Sequence, residues 1–180
     1  MSKGKRYHYF VEGQCEKKLI ETLKEQSLIT PGKIEILNVT QEIISELKLR
    51  PISEGTTIIF VFDTDVSNTE ILKKNIETIR KNSHFKELLT VLQVGNLEDE
   101  LVRSTSCKDI KELLPSKSIK DFKADFIKEK NLYSKLQAKE FDLDKIWIMN
   151  PKNGFSFVKN DGNKINLSQN ENAGKKNKLN

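Results

Sequence analysis

Cysteine is nearly absent. Cys15 and Cys107 are the only two in 180 residues, and neither stands in a CxxC pair or a Cys/His cluster. That argues against a zinc site and against a disulfide framework. Histidine is equally scarce: His8 and His84 are isolated, and His8 lies inside an apolar strand pattern, where it reads as packed rather than catalytic. Cys15 has no nearby base, so a thiol nucleophile is not expected. No apolar run approaches the roughly 18 residues of a membrane span. The basic start MSKGKRYHYFVEG lacks the apolar stretch of a signal peptide. The expected setting is therefore cytoplasmic, without membrane contact. Hydrophobic residues make up 36% of the chain and charged residues 32%, a balance that leaves part of the chain outside a core. The net charge of +5, with an excess of Lys late in the chain, permits contact with nucleic acid without requiring it.

What is present is concentrated at 56–65, TTIIFVFDTD. The apolar and β-branched run from Thr57 to Phe62 has the length of a strand buried on both faces, as at the centre of a parallel sheet. It runs into Asp63 and Asp65. Spacing of i, i+2 places both carboxylates on one side of an extended segment. There they repel unless a cation lies between them or one holds a proton. Hard oxygen donors of this kind suit Mg²⁺ or Mn²⁺. The plainer alternative is a polar strand end, with Asp65 capping the next helix.

The remaining chain alternates. A strand at 7–11 ends at Glu12-Gly13, and an amphipathic helix at 15–26 carries Leu19, Ile20 and Leu23 on one face. A strand is predicted over 33–39. A helix is predicted over 40–49, with Thr40 as N-cap and Ile43, Ile44 and Leu47 inward. A further helix spans 69–82, a fourth strand 88–94, and another helix starts at 97–103. The order β-α-β-α-β-α-β implies right-handed crossovers and a parallel sheet between helices. Short helices follow at 109–114, 119–129 and 132–139. The apolar run 144–149, with the single Trp147, is either a last strand or a packing segment. The expected organisation is an α/β domain over 1–106, a helical extension over 107–149, and a Lys/Asn-rich tail over 150–180 that lacks order from about Lys159.

In a parallel sheet the strand ends share one edge, which brings Glu12 and Glu16, Asp63 and Asp65, and Asn96, Glu98, Asp99 and Glu100 toward one cleft. Such a set of acids calls for a cation. Equally, Glu16, Asp99 and Glu100 read as first-turn helix residues favoured by the helix dipole.

FVEGQCE at 10–16 resembles the strand-one signature of the Toprim fold, and FDTD at 62–65 resembles its DxD at the end of strand three. The pair, in this order and with one βα unit between, covers about residues 5–102. The resemblance implies a Rossmann-like, mostly parallel four-stranded sheet. It also implies that Glu12 acts as acid/base or metal ligand and that Asp63 and Asp65 hold Mg²⁺. Among Toprim proteins the chain looks most like the small nuclease-type members, including those of phage-defence loci. It carries no GxxxxGK[ST], so an ATPase would be a separate subunit. The expected function is Mg²⁺- or Mn²⁺-dependent cleavage of phosphodiester bonds in DNA or RNA. Glu98 or Asp99 would complete a second metal site. Lys117 and Lys120 are the candidates to neutralise the scissile phosphate, and Lys123 and Arg103 would contact the backbone. The alternative is a non-catalytic subunit that binds nucleotide or nucleic acid within a larger defence complex.

Overall fold

The sheet is built on a strand that has no solvent face. In this computed structural model, which describes residues 5–151 and 154–167, β3 (Thr57–Asp63) is buried at every position but its last. It pairs in parallel with β1 (Tyr7–Val11) on one side and β4 (Glu87–Gln93) on the other. β2 (Lys33–Ile36) completes a four-stranded, all-parallel sheet in the order β2-β1-β3-β4. Registers set Val11 beside Val61 and Asp63 beside Gln93, so the carboxyl ends of the strands lie together.

Period-two alternation sorts the strand side chains between two layers. Tyr9, Val11, Ile59, Val61 and Val91 face one core, completed by α1 (Gln14–Glu25), α4 (Leu97–Ser104), α5 (Ile119–Lys128) and α6 (Leu132–Ala138). Phe10, Ile58, Phe60, Phe62 and Leu92 face the other, covered by Leu72, Ile76 and Ile79 of α3 (Glu70–Lys81) and by Phe155 and Val158. The architecture is α/β with helices on both faces, as the alternation of elements predicts. The stretch 107–149 contributes Phe122, Phe126, Leu132, Leu136 and Trp147 to the first core. Among the described residues no helix is long and apolar enough to cross a membrane.

The helix predicted over 40–49 shrinks to one turn, α2 (Glu46–Leu49). Ile44 is buried, but Ile43 and Leu47 are 53% and 73% exposed. Two side-chain amides take the backbone groups that a helix would have used. Asn75 of α3, fully buried, accepts the Ile44 N–H at 2.9 Å and donates to the carbonyls of Val39 (2.8 Å) and Glu42 (2.7 Å). Thr40 donates both its N–H and its hydroxyl to Asn38 Oδ1, the reverse of an N-cap's role. The strand predicted over 33–39 accordingly stops at Ile36. The 144–149 run is a packing segment, not a strand. Trp147 is buried in a left-handed conformation (φ 57°), its N–H donated to Glu100 Oε2 at 3.0 Å.

The expected loss of order from Lys159 is corrected for 159–167, which strap the outer edge of β4. The Thr90 N–H donates to Asp161 Oδ2 (3.1 Å), and the Asp161 N–H donates back to the Thr90 carbonyl (2.7 Å). Asn160 accepts from the Leu92 N–H and donates to the Leu92 carbonyl, both at 3.2 Å. Two polar side chains thus stand in for a fifth strand, and α7 (Gly162–Ile165) follows. A low apolar content hides this contact because much of it is made through amides and a carboxylate, with Ile165 the one apolar side chain of 159–165 that enters the core. The expectation for 168–180 lies outside the described residues. Removing these partners leaves edge groups of β4 unsatisfied. The double variant Asn160→Ala, Asp161→Ala is expected to lose about 2–4 kcal/mol, read as a lower midpoint in urea unfolding.

Candidate functional site

The chain leaves β1 toward β2, then crosses back to β3 on the other side of β1. Helices α1 and α3 therefore depart onto opposite faces, a topology in which the crevice lies between the ends of β1 and β3. Open parallel sheets bind ligands at this reversal of strand order. Glu12 directly follows β1, and Asp63 closes β3.

Glu12 spans the crevice. Its Oε2 accepts the Asp63 N–H at 3.1 Å, and its Oε1 accepts Asn38 Nδ2 at 2.9 Å. Gly13 caps α1 and delivers Glu16 to the first turn, where its side chain is buried. Thr64 pins the end of β3 to β4: its N–H donates to the carbonyls of Gln93 and Gly95, both at 3.0 Å, and its hydroxyl accepts the Gly95 N–H at 3.0 Å. Gly95 has φ +85°, a backbone conformation that L side chains rarely adopt, so glycine suits this turn. Asn96 then caps α4, accepting the Asp99 N–H at 3.0 Å.

The charges of Glu12, Glu16, Asp65 and Glu98 all act on Asp63. Burial first, and these four carboxylates after it, push the Asp63 carboxyl up to about 9. Its Oδ1 is buried and without a hydrogen-bond partner among the described residues. Beside it in register stands Gln93, 0% exposed, with both atoms of its carboxamide equally unpartnered. Glu16 is raised by burial and then by Glu12 and Glu98, although its own backbone N–H pulls the other way. Burial pushes the Cys15 thiol up to about 11, with Glu16 adding to it, which leaves no thiolate nucleophile. His8 is packed against Phe10 at 4.7 Å and buried.

The predicted site residues divide. Glu12, Asp65 and Glu98, with Glu16, lie near enough for their charges to act on Asp63, although Asp65 itself is exposed. Asp99 is exposed, on the outer side of the α4 turn. Glu100 belongs to the core: its Oε1 accepts the Val94 N–H (2.9 Å) and Arg103 Nη2 (2.6 Å), and its Oε2 accepts the Trp147 N–H. Arg103 is therefore engaged within the fold. Its Nη2 also donates to the Val94 carbonyl at 2.6 Å, because a fully buried carboxylate one turn earlier needs a compensating charge. Lys123 is not free on a solvated face either. Its Nζ pairs with Glu98 Oε1 at 3.1 Å, bringing α5 over the acid cluster. Burial lowers its proton affinity, but the hydrogen bond and charge of Glu98 more than offset that. Lys117 precedes the Ser118 cap of α5, Lys120 lies in its first turn, and both are exposed. Asn38 and Gln93 escaped the sequence reading. Gln93 does carry a signal, as a lone amide closing the apolar run LLTVLQV.

Oxygen donors around an orphaned, buried carboxylate oxygen fit Mg²⁺ or Mn²⁺ in their chemistry. Among the described residues no three His, Cys, Asp or Glu side chains stand together as a metal-holding group. Glu12 is engaged with Asn38 and the Asp63 amide, and Glu98 with Lys123.

Between the ordinary value of 3.8 and about 9, folded Asp63 keeps a proton that the unfolded chain releases. Stability therefore falls as pH rises through that window. Asp63→Asn removes the charge, so in chelator it is expected to melt higher than wild type at pH 8, with the gap closing toward pH 4. Melting curves that stay parallel across this range would show that Asp63 ionises without penalty. The chain matches no protein-family model, no curated protein and no solved structure.

Proposed function

We propose that the protein is a Mg²⁺- or Mn²⁺-dependent nuclease acting on phosphodiester bonds of DNA or RNA. One observation carries the reading. At the reversal point of a parallel sheet, the half-buried Asp63 feels the charges of four other carboxylates and keeps one buried oxygen unpartnered, an arrangement that a divalent cation relieves. Glu12, Asp63 and Asp65 would hold the cation, with Glu98 or Asp99 for a second. When bound it supplies a water of lowered pKa and stabilises charge on the reacting phosphate.

The chain's own groups do the rest. Glu12, braced by Asn38, holds the ends of β1 and β3 at fixed separation. Lys123 sets a positive charge at the rim of the acids. Lys120 lies one turn earlier on α5, and Lys117 just before its cap, so the three mark a cationic track leading away from the cluster along which a phosphate backbone would lie. The Toprim resemblance points the same way, since its Glu-Gly and DxD segments are the two that flank the crevice. A role in phage defence and a separate ATPase subunit are part of the same proposal. The pairing of Lys123 with Glu98, which already neutralises one acid, favours the second reading, a subunit that binds nucleotide or nucleic acid without turnover.

The test incubates single- and double-stranded DNA and RNA with Mn²⁺ or Mg²⁺. Wild type is expected to cleave at least one of them, and Asp63→Ala to fall to the metal-free background. Activity retained by Asp63→Ala would defeat the nuclease reading. Metal-dependent binding without cleavage would establish the binding subunit instead. Lys120→Glu is expected to weaken nucleic-acid binding and to make the salt dependence shallower by a slope of about one.

A further inference from the structure

We propose that Gln93 is a positioning residue of the carboxylate site, holding one enclosed water between its carboxamide and Asp63 Oδ1. The role in metal binding rests on the function proposed above; the water does not. Asp63 and Gln93 are register partners at the ends of β3 and β4. Partners in a parallel pair project to the same face, here the face that carries α1, α4 and α5. Gln93 is 0% exposed, and its Oε1 and Nε2 have no protein partner among the described residues; the neighbouring Asp63 Oδ1 has none either.

Three buried polar atoms left open on two register partners are costly, and natural interiors satisfy nearly all such groups. Shape alone does not explain a glutamine here. The strand positions before it on this face, Leu89 and Val91, are apolar, and a methionine would fill the same length. A water answers all three demands at once: it accepts from Nε2 and donates to Gln93 Oε1 and to Asp63 Oδ1, three partners being typical of an enclosed water. Such a water fixes the rotation of the Asp63 carboxyl, so that its other oxygen faces the crevice. Outer groups that orient a metal-binding carboxylate this way commonly change affinity 10–100-fold when removed.

The test uses the full chain as wild type and Gln93→Met, which keeps the length and loses both polar atoms. A crystal structure of the wild type is expected to show a water within hydrogen-bond distance of Asp63 Oδ1 and the Gln93 carboxamide. A dry contact, or a direct bond between the two side chains, overturns the proposal. Calorimetric titration with Mn²⁺ is expected to give at least tenfold weaker binding for Gln93→Met, with a melting temperature in chelator close to wild type. Equal affinity would overturn the positioning role while leaving the cation site standing. If wild type itself binds no Mn²⁺, the cation reading and the positioning role fall together, and the crystal structure alone decides the water. Should Gln93→Met not fold, the 10–100-fold comparison passes to Gln93→Leu.

Discussion

A carboxylate carried to the end of a strand with no solvent face must be reconciled with its surroundings, and most of the carboxyl edge follows from that. Asp63 belongs to β3, whose preceding side chains fill both cores, so its own side chain begins inside the protein. Burial disfavours its charge, and Glu12, Glu16, Asp65 and Glu98 disfavour it further. Glu12 could have pointed into solvent; instead it bonds the Asp63 amide and Asn38, which holds the like charges close. A divalent cation, as proposed above, would relieve that repulsion.

Helix α4 shows how finely the surrounding structure sorts one residue type. Glu98, Asp99 and Glu100 are consecutive acids in its first turn. Each residue turns 100° about the helix axis, so three neighbours face three directions. Glu98 reaches the acid cluster and Lys123, Asp99 faces solvent, and Glu100 enters the core to gather the Val94 and Trp147 amides and the Arg103 guanidinium. Two cations that both suggest phosphate contacts are thereby separated. Arg103 balances a structural carboxylate, whereas Lys123 balances one at the crevice.

Polar side chains also account for where the fold departs from its sequence pattern. The apolar spacing at 40–49 fits a helix, yet Asn75 and Asn38 take the backbone groups of that stretch, leaving Ile43 and Leu47 exposed. The composition of 159–167 argues against order, yet Asn160 and Asp161 supply the edge of β4 with the bonds a fifth strand would have made. In both places one deciding partner lies far away in sequence, Asn75 for the first stretch and the edge of β4 for the second. Periodicity and composition describe a segment's own surface and carry no information about a distant amide.

The sequence by itself determined the sheet and its acids. Long apolar runs ending in Glu12 and Asp63 are local signals, because a strand buried on both faces must be apolar throughout and a parallel sheet must align its carboxyl ends. The grouping of Glu12, Asp63, Asp65 and Glu98 at one edge follows from that topology alone. Only the tertiary structure decided which acid turned inward, which lysine met the acids, and that Asn38 and Gln93 flank the two central carboxylates. Those outcomes depend on side-chain direction and on pairings between distant residues, as between Asn38 and Glu12 or Lys123 and Glu98, which no local pattern encodes.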